Sequence, residues 1–151
     1  MKIFNGSFVI FLLVAILTAC GLKHNLSKSF LAEERPAGAA AAVAEDLAQS
    51  LAFAYPPGHT VLFLSQTGLP QDELGPALET ALRALGFALA PEAGGEAQTV
   101  TYVLDQVDDS TWYSKLSVSD GLTIARTYQA AEDQWAAAAA TRTGPKESDH
   151  D

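Results

Sequence analysis

One side chain in this sequence has its chemistry set by its surroundings: Cys20, the single cysteine among 151 residues. It closes the stretch Leu17-Thr18-Ala19-Cys20, which follows an apolar run beginning at Phe8. A charged start (Lys2), a short hydrophobic segment and small residues before a cut site describe a secretory signal peptide, cleaved between Ala19 and Cys20. A thiolate is the one side chain there that readily accepts a diacylglycerol. The other reactive groups have no comparable setting. A nucleophilic serine needs a base within hydrogen-bonding reach, and no histidine lies near a serine motif. His24, His59 and His150 stand far apart without ligand spacing, and one cysteine cannot make a cysteine zinc site. Asp105, Asp108 and Asp109 flank a hairpin turn, where Asp is favoured for its local backbone hydrogen bonds over a carboxylate pair or a calcium loop. Gly94-Gly95 lacks the following Lys-Ser/Thr of a phosphate-cradling loop. Arg126, in an otherwise neutral strand, is expected to pair across the sheet with an acidic residue such as Asp105. No catalytic, cofactor-binding or metal-binding residue is expected.

The Leu-Thr-Ala-Cys setting resembles the lipobox of bacterial lipoproteins. That resemblance implies that Cys20 becomes the acylated N-terminus, carrying a covalent lipid and no other cofactor. Read instead as a transmembrane helix, Phe8 to Leu17 spans about 15 Å, half of a bilayer core of about 30 Å. Buried acyl chains contribute ~0.8 kcal/mol per methylene, and two or three chains make detachment negligible where one chain binds only reversibly. Gly21 follows the cysteine. In enteric-type lipoproteins an Asp there favours the inner membrane, so Gly21 is compatible with the outer one, facing the periplasm.

Without Met1 to Ala19 the chain has 132 residues, enough for one small domain with tails. It keeps eight basic and 18 acidic side chains, a formal charge of −10. Phosphate-backbone binding needs clustered Lys or Arg, whereas Lys115, Arg126 and Arg142 are isolated. Direct nucleic-acid contact is therefore not expected. Residues 20–36 form a lipidated N-terminus and tether, although Leu22, Leu26 and Phe30 recur every four residues and would make one short amphipathic face for a partner.

Pro36 suits the first position of a helix. From Ala37 to about Ala54, Val43, Leu47 and Leu51 mark the buried side of that helix, with Glu45, Asp46 and Gln49 turned away. Tyr55-Pro56-Pro57-Gly58 stops it, because proline lacks an N–H and restricts the residue before it. Val61-Leu62-Phe63-Leu64 reads as a strand buried on both faces and so central in its sheet. Leu74, Leu78, Leu82 and Leu85 give a second helix, ended by Gly86, with Pro76 near its start. Phe87 to Ala90 is a short strand. Thr99 to Val107, Trp112 to Ser119 and Leu122 to Tyr128 alternate as strands, joined by turns at Asp108 to Thr111 and at Asp120-Gly121. The order helix-strand-helix-strand-strand-strand-strand predicts an α+β domain over 37–129. Its sheet, mixed or antiparallel, has about four to five strands, with two helices packed on one face. Residues 130–151 are alanine-rich and then acidic, expected as a short frayed helix and a flexible end. Trp135 either packs back on the domain or contacts a partner.

Taken together these pieces resemble the TrbH family of conjugal transfer lipoproteins. The residues that carry the likeness begin with the lipobox ending at Cys20, Tyr55-Pro56-Pro57-Gly58-His59-Thr60 and Leu62-Phe63-Leu64. They continue with Leu78-Glu79-Thr80-Ala81-Leu82-Arg83-Ala84-Leu85-Gly86-Phe87, Tyr102-Val103-Leu104-Asp105 and Arg126-Thr127-Tyr128. The tail departs from the family, which places a Trp close to an Arg, because here the alanine run separates Trp135 from Arg142. The resemblance implies a non-enzymatic part of the mating-pair formation apparatus, a type IV secretion system. Its implied partners are other subunits of a transenvelope channel and, through the lipid, the membrane, with no small-molecule substrate. The domain order is also similar to small ring-building modules of secretion systems. Two other readings remain: a stand-alone periplasmic lipoprotein that binds a ligand or inhibits an enzyme, and a lipoprotein that blocks redundant transfer.

Overall fold

The computed structural model describes residues 28–32, 38–131 and 134–144. Ala19, Cys20, Leu22, Leu26 and the acidic end lie outside these residues. The elements run β1 (Phe30–Leu31), α1 (Ala39–Ala52), β2 (Val61–Leu64), α2 (Leu74–Ala84), β3 (Ala88–Leu89), β4 (Gln98–Gln106), β5 (Thr111–Val118), β6 (Thr123–Ala131) and β7 (Gln134–Thr143). This is the expected α+β class, with a mixed sheet of seven strands where four to five were expected.

Helix α1 is built from good helix formers, and Val43, Leu47 and Leu51 are fully buried. The chain leaves it through a short 3-10 turn, Pro57–His59, because Pro56 and Pro57 cannot continue an α-helix. Asp72 caps α2 by accepting the Gly75 N–H at 2.8 Å. Pro76 is accommodated in the first turn, where its missing N–H has no intrahelical partner to lose. Gly86, at φ 94°, provides the left-handed residue that ends the segment. Leu74, Leu78 and Leu82 are completely buried. Each contributes about 1.5–3 kcal/mol, so packing outweighs the exposed Glu79–Arg83 pair, worth about 0.5 kcal/mol.

The sheet order is β3-β2-β4-β5-β6-β7, with β1 also paired to β4. Strands β1, β2 and β3 run parallel to their neighbours, and β4 to β7 form an antiparallel meander. Alternation puts Val100, Tyr102 and Leu104 of β4, Trp112 and Leu116 of β5, and Ile124 and Tyr128 of β6 on one face, all buried with both helices in a single core.

Four expectations are corrected. Strand β2 is interior to the sheet but buried on one face only: Leu62 and Leu64 are buried, while Val61 is exposed, since both helices cover the same side. The alanine run is not a helix; it forms β7 on β6, because Trp135 gains a buried aromatic site that a local helix would not supply. Phe30 does not continue a helical face with the leucines before it, because it lies in a parallel strand on β4. Finally, Arg126 pairs with Asp46 of α1 and not with Asp105. Its alternation with Ile124 and Tyr128 points it at the helix layer, and Asp46 turns inward to meet it. The sheet thus extends beyond 37–129 at both ends.

Candidate functional site

The N-terminal segment enters the fold in the middle of the sheet. Two strands share one edge of β4: β2 takes its first half, with Phe63 beside Thr99 and Leu64 beside Val100, and β1 takes its second half, with Phe30 beside Val103 and Leu31 beside Leu104. Where β2 ends and β1 begins, Ser29 closes the gap. Its Oγ accepts the Tyr102 N–H at 3.2 Å and its hydroxyl donates to the Ser65 carbonyl. The Ala32 N–H donates to the Leu104 carbonyl at 2.9 Å. A backbone group buried without a partner costs free energy, so these contacts fasten residues 29–32 to the domain. Leu31 is buried at 4% exposure, whereas Phe30, on the open face, is 51% exposed.

That second face carries Phe30, Val61, Phe63 and Val103 beside the half-buried Thr99, while Thr101, on the same face, is buried. Of the large apolar side chains exposed among the described residues, Phe30 and Val61 belong to this face, whereas Phe53, Leu69 and Leu85 do not. An exposed aromatic ring such as Phe30 beside other apolar side chains suits contact with another protein.

Beneath the sheet, two polar clusters tie the helices down. In the first, Asp72 receives the Tyr102 hydroxyl, the Thr67 hydroxyl at 2.7 Å and the Gly75 N–H. Burial pushes the Asp72 carboxyl up, but these hydrogen bonds together outweigh it and hold the group below its ordinary value. Burial, and then the bond to Asp72, push the Tyr102 hydroxyl well above the usual tyrosine value. In the second, Asp46 Oδ2 lies 3.0 Å from Arg126 Nε and accepts the Tyr128 hydroxyl at 2.8 Å. Arg126 also donates to the Ser50 hydroxyl at 2.5 Å, and burial raises the Tyr128 hydroxyl. Both clusters join a helix to a strand far away in sequence, so no local motif announces them.

Trp135 packs back on the domain. Its ring lies 5.6 Å from that of Trp112 and 6.2 Å from that of Tyr128, tilted in both cases, the spacing of favourable aromatic pairs. Its Nε1 has no acceptor among the described residues. The aspartates of the β4–β5 turn behave as turn residues: Asp108 Oδ1 accepts the N–H groups of Ser110 and Thr111 at 3.0 and 2.7 Å, which holds its carboxyl below the ordinary value. Asp105 accepts its neighbour's N–H, from Gln106. Among the described residues no cluster of His, Cys, Asp or Glu could hold a metal ion, and no helix is long and apolar enough to cross a membrane. A groove of about 400 Å³ between the two helices is walled largely by Ala41, Ala77, Ala81 and Ala84.

The fold and these surfaces define a small α+β module whose helices cover one sheet face and leave the other open. A family model described as conjugal transfer protein TrbH matches residues 25–145, and the chain belongs to that family. Neither a curated protein nor a solved structure matches it.

Proposed function

We propose that this conjugal transfer protein is a lipoprotein of the mating-pair formation apparatus, anchored through Cys20 in the outer membrane and facing the periplasm. It acts by packing against other channel subunits and not by catalysis. The observation that carries this reading is the attachment of β1 to the centre of the sheet. From Cys20 to Lys28 the chain reaches at most about 30 Å even when fully extended. A lipid on Cys20 would therefore hold the domain within that distance of the membrane, like a short leash fixed to the middle of the sheet. The open face, with Phe30 beside the point of attachment, is then the surface presented to channel subunits.

Mass spectrometry of the native protein tests the anchor: a diacylglyceryl group on Cys20 and loss of Met1 to Ala19 are expected. Replacing Cys20 by alanine is expected to release the protein from the outer-membrane fraction and to lower plasmid transfer from the donor by at least about tenfold. A bare Cys20 refutes the anchor. Unchanged transfer in a strain lacking the protein refutes the assembly role. Increased uptake by recipients, with donor ability intact, points instead to a lipoprotein that blocks redundant transfer.

A further inference from the structure

The two ends of the sheet are unequal. One ends in β3, two residues long, and the other in β7, ten residues long. Among the described residues nothing pairs with the outer edge of β7. Exposed edges in soluble proteins are usually protected by shortness, prolines, bulges or inward charges, because their free N–H and C=O groups template further pairing. Strand β7 is long, has no proline, and carries a single charge, Arg142, near its end. Ala136, Ala137, Ala138, Ala139 and Ala140 are exposed and present almost no side-chain bulk.

We propose that β7 pairs antiparallel with β7 of a second copy of this chain, joining two sheets into one across a two-fold axis between Ala138 and Ala139. Three observations select this occupant. First, a head-to-tail arrangement would set the ten-residue edge against the two residues of β3 and leave most of its groups unpaired; only like-to-like pairing matches the lengths. Second, the register around that axis places Trp135 opposite Arg142 of the copy and Ala137 opposite Ala140. Residues directly opposite in an antiparallel pair share a face, yet 135 and 142 would lie on different faces of a regular strand. The register shift on β6, where Thr127 meets Ala139 and Tyr128 meets Ala137, leaves Ala138 as an extra residue and restores the match. Trp135 and Arg142 both face the helix layer, beside Ala130 and Ile124. Third, the pair is complementary. Arg142 has no ion pair among the described residues, and a guanidinium over an indole is attracted by the ring. The two-fold makes that contact twice. At the centre, alanines meet alanines, so the backbones approach without steric conflict.

This pairing does not depend on the lipid, and crosslinking reads it directly. Two full-length variants, Ala136→Cys with one tag and Thr141→Cys with another, are produced in the same cells and treated in the envelope with a short bis-maleimide. The parent chain, with only Cys20, is the blank. Because 136 faces 141 of the copy, a product carrying both tags is expected. Neither variant alone should crosslink to itself, since 136 and its own copy are offset by five residues, roughly 17 Å along the strand. A self-crosslink of either single variant, or a product with a protein of different mass and no doubly tagged species, overturns the pairing. So does the absence of any product while both variants remain folded by circular dichroism. A second measurement uses Arg142→Ala, at an exposed position that does not disturb the core. In detergent, sedimentation should show self-association weakened about tenfold; unchanged association overturns the Trp135–Arg142 register.

Discussion

Replacing Trp135 by alanine removes the one large side chain that joins β7 to the core. Full truncation of a core Trp costs about 3–5 kcal/mol. Trp135 is only partly buried, so roughly half of that, about 2 kcal/mol, is expected from lost burial. Its tilted contacts with Trp112 and Tyr128 add about 0.5–1.5 kcal/mol each. The expected loss is therefore about 3–5 kcal/mol, a large share of the 5–15 kcal/mol that typically holds a domain together. Urea unfolding of the full chain, followed by far-ultraviolet circular dichroism at several protein concentrations, separates folding from association. A midpoint well below that of the parent, with an unchanged slope, is the expected result. A loss under about 0.5 kcal/mol would be the behaviour of a surface substitution. It would refute both the packing of Trp135 and the assignment of the alanine run to the sheet.

Asp46→Asn leaves the partly buried Arg126 charge without its carboxylate, with only neutral acceptors beside it; a loss of about 1.5–3 kcal/mol is expected, and a double-mutant cycle with Arg126→Met should show coupling between the two sites. Asp72 binds its proton less readily in the fold than in the unfolded chain. The stability it supplies is therefore complete above the ordinary carboxylate value of 3.8 and disappears as pH falls through its lower folded value, and Asp72→Asn should flatten that acid limb in pH-dependent melting. Tyr102 and Tyr128 act in the opposite sense: both are raised above 10.0, so their contribution is full below that value and declines as pH climbs beyond it. Gly75→Ala places a methyl carbon 2.5 Å from the Tyr102 hydroxyl and 3.1 Å from an Asp72 oxygen. Although alanine is the better helix former, this crowding should cost about 1–3 kcal/mol in thermal unfolding.

The elements with a strong repeat were readable from the chain. Leu74, Leu78 and Leu82 define a helix because burying one stripe at a period near 3.6 requires it, and Val100, Tyr102 and Leu104 define a strand because burying one face at a period of two requires that. Turns at Asp108 and Asp120-Gly121 followed from local backbone chemistry, which acts over a few residues wherever the segment ends up. Likeness to the family was legible too, because it rests on the order of such segments.

Tertiary structure decided what depends on partners distant in sequence. Phe30 and Leu31 form too short a strand to carry a pattern, and only β4 makes them one. The alanine run has helical preference, but that preference is a fraction of a kcal/mol per residue, and the aromatic site offered to Trp135 outweighs it. Asp46 and Arg126 are brought together by the packing of α1 on β6, across 80 positions of chain that no local rule spans. Local sequence sets what each segment prefers; the shared core sets which preference survives, because burial energies are larger than propensities and act between segments.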